Sequence, residues 1–278
     1  MEGGTIYRID GGLMSDTVAA DNRAFLYGDG LFETVRVEEG RALFIERHRQ
    51  RFSRSARRLQ YPDPTIDSAL ESLDSLDGRR DGLWRVTVSR PATCDEEEAQ
   101  SRVHLRWRQF RNGDGDGATP TLGIVENFYF PEFDLFEHKT TSWLRSLEAR
   151  RRAQNRGYDE ALLISPGGRV GEAAAANIFL RIGGEWVTPP VEGILPGVMR
   201  DALLAAARQG GLKIVERPVF VGDLQTCEAM ALTSTGRMVT AVSAVEKQPL
   251  ETEPVEELID VFQKYLKWWV SQKDQCNG

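Results

Sequence analysis

Gly171-Glu172-Ala173-Ala174-Ala175-Ala176-Asn177-Ile178-Phe179-Leu180-Arg181-Ile182 sets a glutamate before four small residues and then a strand. The sequence on both sides continues in the same style. Asp159-Glu160-Ala161-Leu162-Leu163-Ile164 is strand-like, and Pro166-Gly167-Gly168 turns it. Gly183-Gly184 turns the chain again, and Glu185-Trp186-Val187-Thr188 returns. A helix is expected over 197–208 and is stopped by Gly210-Gly211, with strands at 213–215 and 229–232. The end, 254–272, is an amphipathic helix with Val255, Leu258, Ile259, Phe262, Leu266 and Trp269 on one stripe, a face for core packing. Many strands and few helices predict a β-rich second domain.

The first half mixes both periods. Thr5-Ile6-Tyr7-Arg8-Ile9, Asp10-Gly11-Gly12 and Leu13-Met14 read as an opening hairpin. Gly28-Asp29-Gly30 bends the chain before an alternating strand, Leu31-Phe32-Glu33-Thr34-Val35-Arg36-Val37. Over 44–59, Ile45, His48, Phe52, Ser55-Ala56 and Leu59 recur at helix spacing. Residues 84–89 and 103–107 are further strands. Arg111-Asn112-Gly113-Asp114-Gly115-Asp116-Gly117-Ala118-Thr119-Pro120 is polar, glycine-rich and closed by proline, which places a domain boundary at 117, giving domains 1–117 and 118–278. Its acidic spacing imitates a calcium loop, but the bidentate acid would fall at Gly123, so the stretch reads as a solvated linker.

Composition limits the function classes. With 41% hydrophobic and 28% charged residues, the 278-residue chain has the make-up of a globular protein with a sizeable core. No apolar run reaches membrane-spanning length, and Met1-Glu2-Gly3-Gly4 lacks a secretory pattern. Cys94, Cys227 and Cys276 are odd in number and far apart, which speaks for a reducing, cytoplasmic setting and against a disulfide framework. A net charge of −7 argues against nucleic acid as a main partner. His48, His104 and His138 have no ligand-spaced neighbours, so no metal is expected.

Lysine is scarce. Lys139 is the first in the chain, and only Lys213, Lys247, Lys264, Lys267 and Lys273 follow, all in polar or helix-surface company. Lys139 stands in Phe136-Glu137-His138-Lys139-Thr140-Thr141, at the edge of an aromatic stretch. Apolar neighbours disfavour the ammonium form, and a neutral amine is what attack on an aldehyde needs. The same placement also suits a snorkelling surface residue. Three features join it. Small residues after Glu172 let a flat ring approach the backbone, and the carboxylate can hold a protonated ring nitrogen. Ile194-Leu195-Pro196-Gly197-Val198-Met199-Arg200 opens a helix whose first N–H groups suit a phosphate. Leu232-Thr233-Ser234-Thr235-Gly236 is a hydroxyl-rich turn after a strand, of a kind that also serves only for capping.

Together these motifs resemble the class IV (fold type IV) aminotransferases, which use pyridoxal 5′-phosphate (PLP) and include branched-chain aminotransferases, D-amino acid aminotransferases and 4-amino-4-deoxychorismate lyases. The resemblance spans nearly the whole chain: Tyr27-Gly28-Asp29-Gly30-Leu31-Phe32-Glu33-Thr34, Arg47-His48-Arg49-Gln50-Arg51-Phe52, His138-Lys139-Thr140, Gly157-Tyr158-Asp159-Glu160-Ala161-Leu162, 172–179, Thr188-Pro189-Pro190, 194–200 and 232–235. It implies an α+β fold of two domains, a small α/β N-terminal domain and a larger β-rich domain with a pseudo-barrel core. It further implies that Lys139 joins the PLP aldehyde and then shuttles the substrate's α-proton. Glu172 would pair with the pyridine nitrogen. Arg51, Val198, Met199, Ser234 and Thr235 would hold the phosphate. Phe32 would pack on the substrate side, and Arg85 would bind a substrate carboxylate. Homodimers are general in the family.

The subclass motifs are altered. Where D-amino acid aminotransferases carry an Arg-x-His pair after the strand, this chain has Pro91-Ala92-Thr93-Cys94-Asp95-Glu96-Glu97-Glu98, whose acids repel a carboxylate. Five residues after the lysine, where branched-chain members often carry tyrosine, stands Leu144. The glycine-rich stretch and second arginine of the lyases are missing. The expected activity is transfer of the amino group of an L-amino acid, branched-chain or similar, to a 2-oxo acid such as 2-oxoglutarate. The alternatives are an aminodeoxychorismate lyase releasing pyruvate and p-aminobenzoate, and a non-catalytic binding module on the same fold.

Overall fold

Alternation along Leu31-Phe32-Glu33-Thr34-Val35 sends successive side chains to opposite faces of a strand, and the sheet built on it organises the first of two compact units. The computed structural model describes residues 6–8, 18, 20–90, 102–111 and 119–276. The turn and second strand of the expected opening hairpin, the acidic run after Arg90 and the glycine-rich stretch 112–117 lie outside the described residues. Contacts group Met1–Arg111 with His138–Leu144 as unit 1, and Asn112–Glu137 with Arg145–Gly278 as unit 2. The sequence boundary divides the chain once; the contacts in addition assign the short segment carrying Lys139 to the first unit.

Unit 1 contains β1 (Ile6–Arg8), α1 (Arg23–Tyr27), β2 (Gly30–Glu38), β3 (Arg41–Ala42), α2 (Ile45–Arg58), α3 (Asp63–Asp74), β4 (Gly82–Ser89) and β5 (Arg102–Arg108). The strands form one antiparallel sheet in the order β1-β5-β4-β2-β3. Leu31, Val35, Val37, Trp84, Val86, Val88, Val103 and Leu105 share a core with Phe52 and Ala56 of α2 and Ile66, Ala69 and Leu73 of α3. The other face carries Phe32 beside Thr87 and His104, and Thr34 beside Arg85 and Arg106.

β3 pairs only with the far end of β2, at Val37 and Glu38. The near end of that edge is taken by the 138–144 segment. Phe32 N–H donates to Lys139 carbonyl at 2.9 Å, Thr141 N–H donates to Gly30 carbonyl at 2.8 Å, and Leu31 bridges Thr140. Glycine makes this approach possible. A side chain at Gly30 would stand 2.6 Å from Ala24 Cβ and 2.9 Å from Thr141 Oγ1, and Gly28 has a left-handed φ of 68°.

Unit 2 contains β6 (Thr121–Glu126), a 3-10 turn (Asp134–Glu137), α4 (Leu144–Gln154, entered from the last residue of the Lys139 segment), β7 (Glu160–Ile164), β8 (Arg169–Ala173), β9 (Asn177–Ile182), β10 (Glu185–Thr188), α5 (Val198–Gly210), β11 (Ile214–Glu216), β12 (Val219–Phe220), α6 (Val221–Leu224), β13 (Cys227–Ser234), β14 (Met238–Ala241), β15 (Ala244–Val245), β16 (Gln248–Pro249) and α7 (Val255–Cys276). They build two sheets, β12-β8-β7-β6-β15-β16 and β11-β10-β9-β13-β14. Leu122, Leu162, Ile164 and Val170 of the first sheet share one core with Ile178, Leu180, Val187, Met230 and Leu232 of the second. This is the strand-lined half-barrel expected of the larger domain. The tight Ala173–Ala176 bridge leads from β8 into β9 across the four alanines. The strand β13 runs on through Thr233 and Ser234, so the expected turn begins only at Thr235. Gly211 ends α5 in the left-handed region at φ 75°.

Candidate active site

In unit 1 the Lys139 side chain lies over an aromatic ring. Its Nζ is 4.6 Å from the centroid of Phe32, and Trp143 meets the same ring edge-on at 6.3 Å. Arg85 lies over that ring as well, with Cζ at 3.5 Å. Phe32 therefore has both an amine and a guanidinium against its ring. Arg85 Nε donates to Thr87 Oγ1 at 3.1 Å, and no carboxylate among the described residues pairs with it. Burial, with the neighbouring charge of Arg106, lowers its pKa to about 10, so it stays cationic at neutral pH. A buried cation of this kind is a natural partner for an incoming carboxylate. Arg90 has a structural role instead: it donates to Leu59 and Gln60 carbonyls at 2.5 and 2.8 Å and covers Tyr61.

On the opposite, core-side face, Glu33 turns inward between Leu31 and Val35. Arg51 donates to it twice, Nε to Oε1 at 2.8 Å and Nη2 to Oε2 at 2.5 Å, and His48 Nδ1 lies 2.8 Å from Oε2. Both α2 residues reach it because they are three apart, on one helix face. Burial pushes the Glu33 carboxyl up, but the Arg51 charge and the hydrogen bonds from Arg51 and His48 overcome this and hold it at about 2. Burial lowers His48, which therefore stays neutral, with Nδ1–H on Glu33 and a fully buried Nε2 without a partner. Arg51, expected at a phosphate, is thus a guanidinium of fixed orientation. His138, next to Lys139, meets Ser55 Oγ at 3.0 Å.

Unit 2 holds the other candidates. Glu172, only 8% exposed, accepts from Asn177 Nδ2 at 3.3 Å and Leu195 N–H at 3.2 Å through Oε2, while Oε1 faces Arg145 Nη2 at 3.7 Å. Asn177 also donates to Leu195 carbonyl at 2.9 Å, tying the carboxylate to the loop before α5. That helix starts at Val198 and Met199 with Gly197 as a cap lacking a side-chain acceptor. Its first N–H groups have no acceptor within the helix. A side chain at Gly197 would strike Asn177 Oδ1. On β13, Thr233 pairs with Asn177 and its buried Oγ1 has no partner, while Ser234 and Thr235 follow, half-buried. An anchored carboxylate, an uncapped helix start and an orphaned hydroxyl fit the ring nitrogen and phosphate of PLP.

Sequence reasoning gave no role to Glu33, Asn177 or Arg145, and named Thr233 only as part of the hydroxyl-rich turn. Glu33 carried a signal, since a charge in the inward set of an alternating strand needs a buried partner. Arg145 carried none, because its partner is 27 positions away in sequence.

Residues 30–245 match the family described as amino-transferase class IV, and the chain belongs to that family. It is a PLP-dependent enzyme of fold type IV. It is 27% identical over 90% of both chains to a Methanocaldococcus jannaschii protein named as a branched-chain-amino-acid aminotransferase. It is 24% identical to a bifunctional aminodeoxychorismate lyase / D-amino acid transaminase of Mycobacterium tuberculosis, covering 86% of this chain and 89% of that one. A Legionella pneumophila structure described as a 4-amino-4-deoxychorismate lyase superposes with a TM-score of 0.79 at 26% identity, over 91% of this chain and 96% of that one. Among the described residues, no helix is long and apolar enough to cross a membrane.

Proposed function

We propose that this enzyme is a transaminase that moves the amino group of an L-amino acid, branched-chain or similar, to a 2-oxo acid such as 2-oxoglutarate, and that it works as a homodimer. PLP supplies a ring that withdraws electrons from the substrate's Cα when bound. Lys139 Nζ would be the covalent anchor and, once displaced by the substrate amine, the base that takes the proton from Cα and returns it two atoms along, beyond the substrate nitrogen. Glu172 holds a proton at the ring nitrogen. Arg51, kept in place by Glu33, binds the phosphate together with the N–H groups of Val198 and Met199 and the hydroxyls of Ser234 and Thr235. Arg85 takes the additional carboxylate of glutamate or 2-oxoglutarate, and Phe32 gives the apolar floor on which substrate and lysine meet.

The observation that carries this reading is the shared Phe32 ring, with Lys139 Nζ at 4.6 Å and Arg85 at 3.5 Å from its centroid. The same pair favours a second reading, the lyase, because aminodeoxychorismate also offers carboxylates to Arg85. One set of assays separates the two. Spectral titration of the PLP-loaded protein with L- and D-amino acids should show conversion of the cofactor to its amine form by an L-amino acid. Pyruvate release from aminodeoxychorismate with no 2-oxo acid present would decide for the lyase. Hydride reduction and peptide mapping should put the pyridoxyl mark on Lys139, and a mark elsewhere would overturn both.

A further inference from the structure

Arg145 is placed against its own electrostatic interest. It is the second residue of α4, at the helix end that repels cations, and burial lowers its pKa. Three contacts hold it there. Nη1 donates to Phe128 carbonyl at 2.7 Å, the guanidinium lies over Phe136 at 3.7 Å, and Nη2 approaches Glu172 Oε1 at 3.7 Å. Leu144, one residue earlier, is exposed, so it is Arg145 that reaches the carboxylate.

We infer that Arg145 is a positioning residue that shares the charge of Glu172 and so lowers the affinity of the cofactor's ring nitrogen for its proton. The inference rests on the assignment of Glu172 to that nitrogen. A carboxylate with a cation already on one oxygen gives less field to a second cation than an unshared carboxylate does. Arg145 also keeps Glu172 ionised when the ring nitrogen is neutral, because a buried carboxylate without a counter-charge tends to protonate. Asn177 and the Leu195 N–H are uncharged donors. The Tyr129 hydroxyl donates to Glu192 carbonyl and is pushed up to about 12, first by burial, so it stays neutral through the working range. Glu137 accepts the Gly193 N–H, and Arg169 faces Glu192. The ring nitrogen would then still carry its proton at neutral pH but release it at lower pH than it would beside an unshared carboxylate.

The test is nitrogen NMR of the holoenzyme loaded with PLP labelled at the ring nitrogen, titrated from pH 5 to 10. In Arg145→Gln the midpoint should rise by about one to two pH units over the unaltered protein, the size expected for removing one nearby charge at an effective dielectric constant of about 20. Arg145→Lys, which keeps the charge, should stay within about half a unit of the unaltered protein. Equal midpoints in the unaltered protein and Arg145→Gln, with the label still on Lys139, would overturn the inference and leave the cofactor assignment intact. Should Arg145→Gln not fold, the unaltered protein still decides: a ring nitrogen that keeps its proton at pH 10 overturns the inference. Glu172→Gln separates the two layers. Its midpoint should fall, and an unmoved one would overturn the assignment of Glu172 itself.

Discussion

Replacing Glu33 by glutamine tests the buried ion pair that fixes Arg51. The substitution keeps the shape and removes the charge, so that a guanidinium only 7% exposed faces an amide in place of a carboxylate. Breaking one side of a buried pair costs about 3–5 kcal/mol. The carboxyl gives a second measure. Its shift from 4.5 to about 2 is worth about 3 kcal/mol at neutral pH. Because the folded value lies below the unfolded one, this stabilisation is complete above pH 4.5 and is lost as pH falls through 2. At pH 3 about 1.5 kcal/mol of it remains. Urea unfolding of the apo-protein at pH 7 should therefore show Glu33→Gln less stable by about 3 kcal/mol, with the gap roughly halved at pH 3. A loss below about 1 kcal/mol at pH 7, or a gap unchanged between pH 7 and pH 3, would refute the reasoning.

Other substitutions probe the remaining contacts. Lys139→Ala should bind PLP only non-covalently and lose at least about a thousandfold in kcat, read by absorbance and by single-turnover assay. Arg85→Met should raise KM for substrates with an extra carboxylate by about tenfold or more and leave substrates with apolar side chains nearly unchanged, a contrast that steady-state kinetics measures directly. Gly197→Ala drives a methyl into Asn177, so PLP affinity should fall about tenfold by equilibrium dialysis while the far-ultraviolet spectrum stays that of the folded protein. Cys227 is buried and its thiol is pushed up to about 12, first by burial, so it should resist a thiol reagent at pH 8 until the protein is unfolded.

The strongly periodic elements were legible from the sequence. The helix expected over 44–59 is α2, the alternating strand is β2, and the glycine stop after 208 is the left-handed cap of α5. The helix α3 was not legible, because Thr65 and Ser72 fill buried positions between Ile66, Ala69 and Leu73 and dilute the apolar stripe. The helix α4 was hidden for the opposite reason: Leu144 and Leu147 are exposed, while Ser146, Ala149 and Ala153 face inward. At the candidate site the sequence could supply residue types, such as a solitary lysine, a glutamate before small residues and a glycine-led helix. It could not supply pairings. The meeting of Lys139 and Arg85 on Phe32, and of Arg145 with Glu172, depends on strand register and helix placement.

The segment that fills the near edge of β2 also bears on biosynthesis. Residues 1–111 include every other strand of that sheet, yet when they leave the ribosome the N–H of Phe32 and the carbonyl of Gly30 still await the Lys139 segment. Until translation passes Leu144, the nascent sheet has an open rim that can recruit a foreign strand. A truncation at Arg111 should therefore be prone to aggregation, and a peptide covering 138–144 supplied in trans should suppress it.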